Sequence, residues 1–200
     1  MAVEAVTFDL GGVLIDWNPR HLYRTVFADE NEMERFLGSV CTLEWHYQHD
    51  LGRSMSVTLP EQAERFPEYR AQIMLWANQD AMVGDAVPEV VDVLRRLRAR
   101  SVPCFAITNW PSESFRSVRD RFDFLDWFAG IVVSGEEGIV KPDPRVFRLL
   151  LDRYGLEAGT TLFIDDSPGH IGVAAELGFV THLFQGVDEL TTALSDLDLL

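Results

Sequence analysis

The feature that most constrains this chain is an alternation: short β-rich runs, several ending on a polar residue, each followed by a segment of helical periodicity. Residues 5–9 (AVTFD) read as a buried strand closing on an acid, 103–108 (PCFAIT) as a second, 130–134 (GIVVS) as a third and 161–165 (TLFID) as a fourth, with another in 179–184. Between them, residues 88–100 set Val90, Val91, Leu94 and Leu97 on one helical face behind Pro88, and 112–122 turn Phe115, Val118 and Phe122 inward. Asp143-Pro144 supplies a cap and first turn for a helix carrying Phe147, Leu150, Leu151 and Tyr154 and closed by Gly155. Gly178 ends a helix that starts near Pro168, and residues 188–197 form a last one. Strands alternating with helices predict an α/β fold, a doubly wound parallel sheet covered on both faces.

Residues 16–85 break the alternation. They hold no convincing strand, yet carry helical periodicity rich in large aromatics such as Trp17, Tyr23, Phe36, Trp45 and Trp76. Because the stretch follows the first strand directly, it reads as a helical cap (16–85) inserted into a core formed by residues 1–15 and 86–200. A chain of 200 residues, 47% hydrophobic, has enough apolar material for one domain with such an insertion. No internal repeat or low-complexity tract interrupts it.

Composition narrows the class of partner. A net charge of −15 repels nucleic acid and anionic membrane surfaces, so neither is expected as a partner. No apolar run reaches membrane-spanning length, and the first residues lack the basic region of a signal peptide. Cys41 and Cys104, far apart in apolar contexts, read as free buried thiols, which together with the rest predicts a cytoplasmic protein.

The chemistry is concentrated where strands end, which is where open parallel sheets hold their ligands. Asp9 closes the first strand and is followed by Gly11 and Gly12, whose N–H groups can approach an oxyanion. Thr108 and Asn109 close the second, offering a hydroxyl and a backbone N–H to phosphate oxygens, with Trp110 next to them placed to face substrate. Lys141 follows the third strand, and Pro142 biases it toward an extended backbone that aims its ammonium across the crevice. Asp165 and Asp166 close the fourth; adjacent carboxylates there repel unless a cation or protons offset them, and an oxygen-rich site of this kind suits Mg²⁺. Each signal alone reads equally well as a turn or cap residue. Four of them at the ends of four successive strands do not.

In these residues the chain resembles the haloacid-dehalogenase superfamily, across essentially its whole length. FDLGGVL from Phe8 is similar to the first motif, Ile107-Thr108-Asn109 to the second, Lys141 in VKPDPRVF to the third and FIDDSPGHIGVAAELGF from Phe163 to the fourth. The insertion after motif one resembles the subclass with a small α-helical cap. The resemblance implies strand order 5-4-1-2-3, with Asp9 beside the Asp165/Asp166 strand and Thr108 on its other side. It also implies a phosphatase in which Asp9 attacks phosphorus to give an aspartyl-phosphate that water hydrolyses. Mg²⁺ would be held by Asp9, the Gly11 carbonyl and Asp166, with Asp165 direct or through water, while Thr108 and Lys141 bind the phosphoryl group. The expected partner is a small phosphorylated, sugar-phosphate-like molecule, and the chain is expected as a monomer or homodimer.

One position departs from the pattern. Phosphatases of this superfamily usually carry a second Asp, the general acid and base, where this chain has Gly11. Asp16, a cap group such as His46, or water are the candidate substitutes. His21, His170 and His182 show no metal-ligand spacing and read as surface or packing residues. Two rival functions share the fold. One is a metal-free 2-haloacid dehalogenase, disfavoured because Asp165 and Asp166 would repel an anionic substrate. The other, prompted by Gly11, is a binding protein that keeps phosphate and metal but turns nothing over.

Overall fold

A computed structural model describes residues 2–200. Five strands, β1 (Ala5–Phe8), β4 (Cys104–Thr108), β5 (Gly130–Val133), β6 (Thr161–Asp165) and β7 (Val180–Leu183), form one parallel sheet in the order β5-β4-β1-β6-β7. Counted among themselves these strands run 5-4-1-2-3, with β1 at the centre. Two further short strands, β2 (Ile15–Trp17) and β3 (Val83–Ala86), pair antiparallel with each other in a separate ribbon. That ribbon corrects the reading of residues 16–85 as free of strands. At three and four residues, its strands are too short to show an alternating pattern.

The period of two along each strand divides the apolar residues between two faces. Val6 and Phe8, Cys104 and Ala106, and Leu162 and Ile164 point into one cluster, covered by α6 (Pro88–Ala99), α7 (Ser112–Arg121) and α11 (Val187–Asp196). Ala5, Phe105, Ile107 and Phe163 point into the other, covered by α9 (Pro144–Tyr154) and α10 (Pro168–Glu176). On α6 the inward set is Val90, Val93, Leu94 and Leu97, with Val91 only partly buried. The same adjustment brings Val146 inward on α9 and leaves Leu151 and Tyr154 partly exposed, because an i, i+3, i+4, i+7 stripe faces one side. Asp143 caps α9 by accepting from the Arg145 N–H, and Gly155 ends it at φ 65°. Both cysteines are free and buried.

Between β2 and β3 lie α1 (Arg20–Tyr23), α2 (Glu30–Ser39), α3 (Leu43–Asp50), α4 (Met55–Arg65) and α5 (Arg70–Met74). Side-chain oxygens of Asp29, Thr42 and Ser54 cap the three longer helices. Their inward faces build a cluster of their own around Tyr23, Phe36, Leu59, Ile73 and Trp76. Across the chain junction, a four-residue helix α8 (Ser134–Glu137) follows β5 and meets α3. No helix among the described residues is long and apolar enough to cross a membrane.

Phe147 is fully buried with ring centroids 5.2 Å from Phe163 and 5.9 Å from Phe179. Phe147→Ala should therefore cost about 3–5 kcal/mol, the range for truncating a core Phe. Urea denaturation followed by circular dichroism measures it, and a loss well under 1 kcal/mol (roughly the surface-substitution range) would show that this face is not close-packed.

Candidate active site

The carboxyl ends of β1, β4 and β6 meet at one place, and a buried lysine occupies it. Lys141, in the loop between α8 and α9, is 0% exposed, with Nζ 2.8 Å from Asp9 Oδ2 and 2.7 Å from Asp165 Oδ2. Two contacts hold its backbone. The Asn109 amide brackets it, Nδ2 donating to the Lys141 carbonyl at 3.0 Å and Oδ1 accepting from the Lys141 N–H at 2.8 Å. The Tyr47 hydroxyl of α3 donates to the same carbonyl at 2.8 Å, tying α3 to the carboxyl end of the sheet. Asn109, expected to touch substrate, thus spends its amide on positioning Lys141 while still lining the cavity described below.

Asp9 Oδ1 accepts from the Leu10 N–H at 2.7 Å, which fixes the carboxylate at the strand end. Burial pushes the Asp9 carboxyl up, with the Lys141 ammonium pulling it down and Asp165 and Asp166 pushing it further up. Burial would raise Asp165 too, but Lys141 and His170 hold it down at about 2. Lys141 is raised despite its burial, because Asp9 and Asp165 flank it.

Asp165 and Asp166, adjacent in sequence, have opposite surroundings. Both oxygens of Asp165 are engaged: Oδ2 by Lys141, Oδ1 by the Ser167 N–H at 2.8 Å and by His170 Nδ1 at 2.9 Å. Asp166 is exposed and leans over Gly12, so close that a Cβ on Gly12 would sit 2.4 Å from its Oδ2. Burial raises Asp166 as well, and Asp165 adds to the rise. His170 corrects the sequence reading, which gave it a surface or packing role. It occupies the third position of α10 after Ser167, from which a side chain reaches back toward the residues before the helix, and that spacing was available as a signal. Asp9, Asp165 and His170 present ligand atoms within 4.8 Å of one another.

A cavity of about 210 Å³ opens on this cluster. Its core wall is formed by Asp9, Gly11, Gly12, Asn109, Trp110 and Asp166, so six of the predicted site residues face it. Thr108, Lys141 and Asp165 sit behind that wall. The Thr108 hydroxyl is buried and has no hydrogen-bond partner, an orphaned donor beside the Asp9 strand. Trp17, His46 and Asp50 form the cap wall. Asp50 was not singled out from the sequence, where an acid at a helix end looks like a solvated residue.

With this geometry in view, residues 3–178 match the haloacid dehalogenase-like hydrolase family, and the chain belongs to it. The sesquiterpene phosphatase of Aspergillus oryzae is 28% identical over 199 residues, covering 96% of this chain and 93% of its own. A phosphoglycolate phosphatase of Yersinia pseudotuberculosis is 28% identical over 88% of this chain and 78% of its own. Among solved structures, an enzyme of the same family from Bacteroides thetaiotaomicron, in complex with magnesium and inorganic phosphate, superposes with a TM-score of 0.68 at 24% identity, over 90% and 93% of the two chains.

The two glycines after Asp9 differ in what they tolerate. Gly12 has φ 76° and no room for a side chain, whereas a Cβ on Gly11 would meet only Trp110 Cζ3 at 3.8 Å and Trp17 Cβ at 3.9 Å. Gly12→Ala should lower the Tm and displace Asp166, by about 1 kcal/mol or more from the backbone alone. Gly11→Ala should melt close to wild type. Differential scanning calorimetry of the pair checks this; equal destabilisation of both would refute it.

Proposed function

We propose that this hydrolase is a Mg²⁺-dependent phosphatase that cleaves a small, sugar-phosphate-like phosphomonoester through an aspartyl-phosphate on Asp9. The observation that carries the reading is the buried Lys141 held against Asp9 directly behind the cavity wall, with the unpartnered Thr108 hydroxyl one strand away. Asp9 Oδ1 is fixed by the Leu10 N–H, so its carboxylate has a set orientation toward an incoming phosphorus. Lys141 and the Thr108 hydroxyl offer a charge and a donor to phosphoryl oxygens, which is where negative charge gathers during transfer. Both phosphatases to which the chain is similar at 28% identity support the same class of reaction.

The residues present fit a divalent cation. Asp9 and Asp165 share one ammonium and Asp166 adds a third carboxylate beside them, and that imbalance of charge is what a hard dication offsets. Asp9 and Asp166, with the Gly11 carbonyl, would hold it. Asp165, whose oxygens already accept from Lys141, Ser167 and His170, would act through water. Bound there, Mg²⁺ supplies Lewis-acid stabilisation of the phosphoryl charge. The cavity of about 210 Å³ lies below the usual range for drug-sized ligands, which favours a small substrate.

Phosphate release from a panel of sugar, aryl and acyl phosphates should require added Mg²⁺ and cease in excess chelator. Asp9→Asn should abolish release and lose trapping by beryllofluoride while keeping the wild-type circular dichroism. Halide release from 2-chloropropionate in chelator, without phosphate release, would overturn the reading in favour of a dehalogenase.

A further inference from the structure

Phosphoryl transfer to Asp9 leaves an alkoxide that needs a proton, and Gly11 cannot supply one. We propose that Asp50, at the end of the cap helix α3, is the general acid and base of this site, positioned by His46. The inference rests on the phosphatase reading above.

Asp50 and Gly11 face the same cavity from opposite sides. The space a side chain at Gly11 would enter is bounded by Trp110 and Trp17, and Trp17 stacks on His46 with centroids 5.1 Å apart at 19°. His46 and Asp50 are one helical turn apart on α3 and both line this cavity, so Trp17 and His46 connect the acid to the region that Gly11 leaves open. Asp16, the other carboxylate near the first motif, is committed elsewhere: its Oδ2 lies 2.8 Å from His21 Nε2, and it is not part of the cavity wall.

The surroundings of Asp50 suit a proton donor. It is 7% exposed, and its Oδ1 is buried without a hydrogen-bond partner, the nearest group being His46 Nε2 at 3.5 Å. A buried carboxylate so poorly solvated is unfavourable, so the protonated form gains. Burial pushes Asp50 up to about 7, against the opposing pull of the Lys141 ammonium. His46 is in turn fixed. Burial, with His49 beside it, lowers it to about 3, so the ring is neutral. The Trp76 indole N–H donates to His46 Nδ1 at 3.1 Å, and since indole has no acceptor, the His46 proton must sit on Nε2, facing Asp50 Oδ1. The proton of Asp50 is thereby directed to its other oxygen.

The steps balance. Asp9 forms a bond to phosphorus as the ester P–O bond breaks, and the departing oxygen takes the Asp50 proton. Water then attacks phosphorus, the Asp9–phosphorus bond breaks, and the water proton returns to Asp50.

Phosphate release by Asp50→Asn should fall about 10²- to 10⁴-fold for alkyl phosphates, the span general acid catalysis covers, and by a far smaller factor for 4-nitrophenyl phosphate, whose leaving group needs no proton. The steepened leaving-group dependence is the signature that mere misfolding cannot produce. Gly11→Asp in the Asp50→Asn background should restore alkyl phosphate turnover, since Gly11 has a backbone any residue adopts and room for a Cβ. Equal losses on both substrates, or no loss on either, overturn the assignment of Asp50 while leaving the phosphatase reading intact. No phosphate release by the wild-type protein from any ester, with no trapping of Asp9 by beryllofluoride, overturns both.

Discussion

The site depends on one buried ammonium. Taking Lys141 fully out of water costs several kcal/mol, roughly, and the cost is offset only because two carboxylates lie within 2.8 Å of its Nζ. That requirement organises everything around it. It brings β1 and β6 side by side so that Asp9 and Asp165 share a cation. It recruits Asn109 from the end of β4 to hold the lysine's backbone, and Tyr47 from the cap to hold its carbonyl. Three strand ends, a loop and a cap helix are thereby locked to one atom. Removing Lys141 would leave Asp9 and Asp165 buried beside each other with no ammonium between them, so the set behaves as a unit rather than as separable contacts.

The two aspartates at the end of β6 show how a strand divides labour. Successive residues point to opposite sides, so Asp165 turns into the core and Asp166 out over Gly12. The inward one is held ionised by Lys141 and His170 beside Asp9. The outward one keeps its oxygens free on the cavity side. A left-handed glycine directly beneath it makes that approach sterically possible.

The sheet was legible because buried strands announce themselves as short apolar runs and because four of the five runs ended on a polar residue. The order of the strands was not written in any local pattern and came only from resemblance to a family. The ribbon of β2 and β3 was invisible, since IDW and VGDA form neither an apolar run nor an alternation long enough to read. At the site, Asp9, Thr108 and the Asp165/Asp166 pair were readable from their position at strand ends, and Lys141 from the Pro142 that follows it. What the sequence could not show was burial: nothing local distinguishes Lys141 from a solvated loop lysine. Asp50 escaped for the same reason, because its neighbours Lys141 and Gly11 are distant in sequence and meet it only through the docking of α3. His46 was one of several open candidates, and the Trp76 contact that sets its tautomer links two separate helical turns.

The ribbon has a consequence for how such a chain can diversify. Ile15 lies opposite Ala86 and Trp17 opposite Val83, so the excursion of more than sixty residues (roughly) leaves and re-enters the sheet domain at one spot. With its two ends already clamped together, the length between them adds little to the entropy of closing the loop, which grows only logarithmically. Exchanging the excursion between relatives would change His46 and Asp50 on one side of the cavity, while Asp9, Gly11, Gly12, Asn109, Trp110 and Asp166 stay with the parallel sheet. The Tyr47 contact to the Lys141 carbonyl is the tie that any replacement would have to remake.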